Sequence, residues 1–154
     1  MIKDFFKLIF LLALAYAGYQ LFTTGSIQNP FGDSGGPSAF SSARSREISG
    51  GERVDLAANA MKGGVTLYYF TAKWCAPCKA FGPQLHQYAS SKQGVAIRRI
   101  DIGKFGSPVT KQYQIQSVPQ VWIADSNGRI VTKVAGPNLR TIEKSVAPLL
   151  PRKG

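Results

Sequence analysis

Cys75 and Cys78 are the only cysteines in the 154-residue chain, separated by Ala76 and Pro77. Two thiols at this spacing suit exchange with a disulfide, in which one sulfur attacks and the other closes onto it. The segment around them is Phe70-Thr-Ala-Lys-Trp-Cys75-Ala-Pro-Cys78-Lys79. It follows a strand-like run, Val65 to Thr71, and leads into a helical pattern that starts at Pro77. The first turn of a helix presents unpaired backbone N–H groups and the positive end of the helix dipole. Both stabilise a thiolate, the attacking species, at Cys75. Cys78 lies one turn further in, where it can close a disulfide with Cys75 or release a partner from a mixed disulfide. Cys75 therefore reads as the nucleophile, nearer the helix start and expected to be the more exposed sulfur, and Cys78 as the resolving thiol.

Other uses of the pair fit less well. A closed zinc site needs about four ligands, and the chain offers two cysteines and a single histidine, His86. Covalent haem attachment needs Cys-x-x-Cys-His, but Lys79 follows Cys78. A purely structural disulfide across two residues closes a very small loop and constrains the unfolded chain least. Thiol exchange needs no metal and no cofactor, and none is expected.

Trp74-Cys75-Ala76-Pro77-Cys78-Lys79 resembles the active site of the thioredoxin family. Pro83, five residues after Cys78, matches a helix-kinking proline of that family. Tyr113-Gln-Ile115-Gln-Ser-Val118-Pro119 resembles the segment that ends in its cis-proline. Asn127-Gly128 resembles the following hairpin turn, and Thr132-Lys-Val-Ala-Gly136 the strand after it. The likeness covers roughly residues 50 to 150.

The resemblance implies a three-layer α/β fold, a mixed central sheet with helices on both faces. It implies protein thiols and disulfides as substrates. It makes Trp74 and Pro77 supports of the site, and it implies a cis Val118–Pro119 bond that turns the Val118 backbone toward the sulfurs, ready to pair with a substrate strand. Similar proteins with Trp-Cys-x-Pro-Cys and an N-terminal anchor work as dedicated reductases; their tasks include keeping cytochrome c precursor thiols reduced. They draw electrons from an inner-membrane thiol carrier. A thiol oxidase or disulfide isomerase uses the same chemistry. A third reading is a non-catalytic binding module of an envelope assembly that holds a partner strand. One departure stands out. Where the family carries a buried acid six residues before the first cysteine, this chain has Tyr69. A phenol with an ordinary pKa near ~10 is a poor base at neutral pH, so water, Glu52 or Asp55 would have to take its place.

The elements that must position the pair are legible in outline. Glu52 to Met61 reads as a helix stopped by Gly63-Gly64. Val65 to Thr71 is a continuous apolar run, as in a covered central strand. Pro77 to about Ser90 is helical, with Phe81, Leu85, Tyr88 and Ala89 on one face. Val95 to Asp101 is a second strand. Ser107 to Tyr113 is a short helix with Ser107 as its cap and Pro108 at its first position. Gln120 to Ala124 and Arg129 to Val134 form a hairpin through Asn127-Gly128. Asn138 caps a last helix carrying Leu139, Ile142 and Val146. Arg46-Glu-Ile-Ser is the one candidate for a first strand.

Ahead of this domain, assigned to residues 48–154, lie two further segments. Residues 1–22 hold Lys3 and Lys7, and Leu8 to Phe22 is apolar except for Gln20; counted from Phe5 the run is about 18 residues, just long enough to cross a bilayer as a helix. An uncleaved anchor is favoured over a cleaved signal, because the apolar run continues past the small-x-small site Ala15-Tyr-Ala17. Basic residues precede the span, and the first one after it is Arg44. The positive-inside rule then sends the domain out of the cytoplasm. In a bacterium that is the periplasmic face of the inner membrane, with release into the periplasm as the alternative. Residues 23–47 are rich in Ser, Gly, Pro and Asn and read as a tether spanning on the order of 28 Å. The net charge is +11. It suits attraction to an anionic membrane or to acidic partners, and no nucleic-acid motif accompanies it. A monomer is expected.

Overall fold

The structure is a computed structural model and describes residues 44–150. Its elements in chain order are β1 (Ser45–Ser49), a 3-10 turn (Ala57–Asn59), β2 (Val65–Thr71), α1 (Ala76–Ser91), β3 (Val95–Asp101), α2 (Pro108–Tyr113), β4 (Gln120–Ala124), β5 (Ile130–Ala135), α3 (Leu139–Val146) and a second 3-10 turn (Ala147–Leu149). The five strands form one sheet in the order β1-β3-β2-β4-β5. β3 runs parallel to β1 and β2, while β4 runs antiparallel to β2 and β5. This is the expected thioredoxin-like fold, and Arg46 to Ser49 lie in its first strand, at an edge of the sheet. Among the described residues no helix is long and apolar enough to cross a membrane. The expected span, residues 1–22, lies outside the described residues, as does most of the expected tether.

β2 is central, and side chains on both its faces are covered. Val65, Leu67, Tyr68 and Phe70 are fully buried, which explains a run that is apolar without alternation. One face packs on α1: the Tyr69 and Phe81 rings meet edge to face at 5.9 Å. The other face holds an aromatic cluster of Phe70, Tyr113 from α2 and Trp122 from β4, with ring centroids 4.9 to 6.1 Å apart. Gly64 makes the entry to β2 possible. A Cβ there would lie 2.7 Å from the Gly94 carbonyl oxygen, the acceptor of the Val65 N–H.

The predicted helix over Glu52 to Met61 is absent; only one 3-10 turn forms. Long-range partners outbid the local pattern. The Val54 N–H donates to Gln112 Oε1 at 3.1 Å, and the Val54 carbonyl accepts from the Tyr113 hydroxyl at 2.6 Å. The Asp55 carboxylate accepts the Ala58 N–H, and the Met61 N–H goes to the Thr66 hydroxyl. Ser107 stands at the N-cap position of α2, but its hydroxyl pairs with that of Thr110 and caps no backbone N–H. Asn138 does cap α3, accepting the Thr141 N–H at 3.0 Å. Asn127-Gly128 forms the expected turn: Gly128 adopts φ +81° and donates to the Asp125 carbonyl.

Candidate active site

The parallel strands β2 and β3 end together, Thr71 opposite Asp101. β4 starts beside the same end of β2, with Gln120 opposite Phe70. Three segments therefore gather at one end of the sheet: the turn from β2 into α1, the loop after β3, and the Val118–Pro119 bond before β4. The first carries Trp74, Cys75, Pro77 and Cys78. The third has the cis geometry that the resemblance implied. The register thus brings all the expected site residues to one end of the sheet.

Cys75 is the N-cap of α1, and its sulfur accepts the Cys78 N–H at 3.2 Å. Pro77 occupies the first turn of α1, where a missing N–H costs nothing. Cys75 and Cys78 form a disulfide with their Cα atoms 5.3 Å apart. Cys75 is 4% exposed and Cys78 3%. Exposure therefore does not separate the two sulfurs as expected, and what does separate them is the cap position. Trp74 is 54% exposed, and its indole N–H donates to the Gly103 carbonyl at 2.6 Å. Its ring stacks at a tilt on Phe105, another exposed aromatic side chain.

Behind the disulfide lies an open cavity of about 560 Å³. Strand alternation directs Tyr69 and Thr71 of β2, with Arg99 and Asp101 of β3, into it. Lys73, Cys78, Lys79, Gly82 and His86 close the other side. The Tyr69 hydroxyl donates to the Cys78 carbonyl at 2.8 Å. Burial pushes its phenol pKa up, against smaller opposing effects of the Thr71 hydroxyl and the Arg99 charge. Tyr69 thus remains a protonated donor that fixes the first turn of α1. Neither Glu52 nor Asp55, the substitutes expected for the family's acid, lines the cavity. The Glu52 carboxylate accepts the Gly50 N–H, and Asp55 holds the 3-10 turn.

Sequence reasoning missed Thr71, Arg99, Asp101, Gly103 and Phe105. For Asp101 a signal was present, as it is a carboxylate at the end of a strand beside the strand that leads into the cysteines, two residues beyond Arg99 and so on the same face. His86 is half-buried, and its Nδ1 lies 3.0 Å from the Ser45 hydroxyl. Burial first, and then the Arg99 charge, lower its pKa. Between that lowered value and ~6.5 the unfolded chain binds the extra proton, so stability falls as pH drops through this window and is flat above it. In denaturant titrations across this range, His86→Gln is expected to lose that part of the acid slope. An unchanged slope would remove His86 from the account.

The Thioredoxin family model matches residues 56–147 of the chain. The TPR repeat-containing thioredoxin TDX of Oryza sativa subsp. japonica is 34% identical over 83 residues, which is 54% of this chain and 26% of that protein, so the chain spans about a quarter of it. Thiol:disulfide interchange protein HelX of Rhodobacter capsulatus is 28% identical over 124 residues, 66% of this chain and 69% of that protein. The crystal structure of Schistosoma mansoni thioredoxin superposes with a TM-score of 0.56 at 22% identity, covering 70% of this chain and 97% of that one. The last likeness speaks to the fold alone.

Proposed function

This chain belongs to the thioredoxin family of thiol:disulfide oxidoreductases, and on that premise we propose that it reduces disulfides of protein substrates outside the cytoplasm, held to a membrane by residues 1–22. The observation that carries the chemistry is the Cys75–Cys78 disulfide at the start of α1, with the Cys75 sulfur at the N-cap. In the reduced protein the Cys75 thiolate attacks one sulfur of a substrate disulfide. A Cys75–substrate bond forms, the substrate bond breaks, and the first substrate sulfur leaves as a thiolate that takes up a proton. Cys78 then attacks the Cys75 sulfur, expels the second substrate sulfur and restores the disulfide. Trp74, Pro77, Val118 and Pro119 surround this exchange as support and as a platform for the substrate strand. Reduced protein is regenerated by an inner-membrane thiol donor.

Support for the direction comes from the resemblance of Trp74-Cys75-Ala76-Pro77-Cys78 to anchored reductases. Support for the location comes from Lys3 and Lys7 preceding an apolar run that no basic residue follows until Arg44. The reduction potential of the Cys75–Cys78 couple tests the direction. A value near that of a cytosolic reductant, roughly −270 mV, is expected, and one near −120 mV would show an oxidase. Fractionation with mass analysis of the mature N-terminus tests the location. A soluble product starting near Gly18 would remove the anchor.

A further inference from the structure

In the cycle above, on which this inference rests, Cys78 must lose its proton before it attacks, because the thiolate is the nucleophile. Cys78 is almost completely buried, so the proton leaves through the cavity behind it. Six titratable or charged side chains face that cavity besides Cys78: Tyr69 from β2, Lys73 from the turn before α1, Lys79 and His86 from α1, and Arg99 and Asp101 from β3. Five of them are poor acceptors there. Tyr69 stays a phenol, with its hydrogen already given to the Cys78 carbonyl. Lys73, Lys79 and Arg99 have donors and no acceptor, and Arg99 is paired with Glu47 of β1. His86 has its Nδ1 against Ser45 and lies eight residues along α1 from Cys78, about 12 Å of helix rise.

Asp101 is the remaining group, and its setting is built. It is 5% exposed and lines the cavity, and its Oδ1 accepts the Gly103 N–H at 2.8 Å. The carbonyl of the same Gly103 holds the Trp74 indole, so the loop that fixes Asp101 is tied to the residue before Cys75. Thr71 and Gly82, both small, line the same cavity as Asp101 and Cys78. Thr71 stands opposite Asp101, and even a Cβ at Gly82 would come no closer than 3.7 Å to the Tyr69 ring. A cavity of this size, open to solvent and lined in part by polar groups, takes up water.

We propose that Asp101 is the positioning residue for proton loss at Cys78, its carboxylate receiving the thiol proton through cavity water. In the mixed disulfide, the Cys78 proton passes through water to Asp101. The freed electron pair on the Cys78 sulfur forms the bond to the Cys75 sulfur, and the Cys75–substrate bond breaks. The substrate sulfur leaves as a thiolate and takes its proton from solvent, and Asp101 returns its own to the cavity water. Substrate is reduced by two electrons and the cysteine pair oxidised by two.

The test mixes reduced full-length protein with an equimolar aromatic disulfide, dithiobis(nitrobenzoate), and follows release of the coloured thiolate by rapid mixing. The first release reports attack by Cys75, and the second reports attack by Cys78. In the native protein the second release is expected to level off below the pH range where ordinary thiols ionise. Asp101→Asn keeps an acceptor for the Gly103 N–H. It should leave the first release unchanged and slow the second on the order of 10²-fold near neutral pH. The rate of its second release should then climb about tenfold per pH unit. Asp101→Glu should recover part of the loss. A second release with the same rate and pH profile in Asp101→Asn overturns this inference alone, whereas absence of the first release in the native protein overturns the exchange cycle as well. If Asp101→Asn does not fold, the native profile decides. A second release that climbs through neutrality without levelling off rejects the role of Asp101.

Discussion

Cells making the Cys78→Ser protein are expected to accumulate it covalently joined to its substrates, while cells making Cys75→Ser should form no such adducts. In the proposed cycle Cys78 is the thiol that releases the mixed disulfide at Cys75. A serine there removes the release step and leaves the attacking sulfur in place. The helix cap survives the change, because Cys75 accepts the backbone N–H of residue 78 and not its side chain. In Cys75→Ser the remaining sulfur is one turn inside α1 and away from the N-cap position that favours a thiolate. Without the capped thiolate the attacking step is lost, and exchange should fall to background, at least about 10³-fold. The net charge of +11 adds a selectivity: acidic proteins should be over-represented among the adducts. Their yield should fall with added salt, since exposed charges are screened over about 8–10 Å at physiological ionic strength. A non-reducing gel followed by identification of the shifted bands reads all of this. A folded, abundant Cys78→Ser protein with no reducible adducts would sink the exchange mechanism.

The largest effect on stability is expected at Phe70. Its ring is fully buried, 4.9 Å from Trp122 and 6.1 Å from Tyr113, and so it joins β2, β4 and α2. Phe70→Ala leaves a cavity that three elements would have to collapse together to fill, and costs roughly 3–5 kcal/mol. For a domain whose whole stability is about 5–15 kcal/mol, this is a large share. The midpoint of thermal unfolding should fall by at least about 12 °C. Calorimetry of the reduced and oxidised forms measures it, and a fall of a few degrees would mean that the aromatic cluster repacks without Phe70. The Cys75–Cys78 pair should still form a disulfide below the lowered midpoint, because the N-cap geometry rests on α1 and the Tyr69 bond on the opposite face of the sheet.

What was legible from the residues was the part with local causes. Cys-Ala-Pro-Cys at the end of an apolar run marked the site. Asn138 marked the start of α3, and Asn127-Gly128 marked the turn before β5. Two kinds of feature were not legible. The stretch from Glu52 to Met61 has helix-forming residues, but its backbone groups are claimed by Gln112 and Tyr113, more than fifty positions away. A window of ten residues holds no trace of them. The cavity behind Cys78 is likewise a product of register. Asp101 enters it only because β3 pairs in parallel with β2 so that residue 101 faces residue 71. The substitutes expected from the residues alone were water, Glu52 or Asp55, while the carboxylate that faces the cavity, Asp101, comes from the adjacent strand.

The two outer strands bear on crowding. An open sheet edge is a template for another chain, and under the proposed anchoring by residues 1–22 copies would meet in the plane of a membrane far more often than in bulk. β1 meets this hazard with length and charge: it is five residues long and carries Arg46 and the Glu47 that pairs with Arg99. β5 places the Lys133 ammonium 3.8 Å above the Trp122 ring, so its exposed side presents a cation where an approaching strand would have to strip away water. Under that proposal, neighbouring copies would share a small patch of surface and remain separate, each with its cysteine pair open to a different substrate.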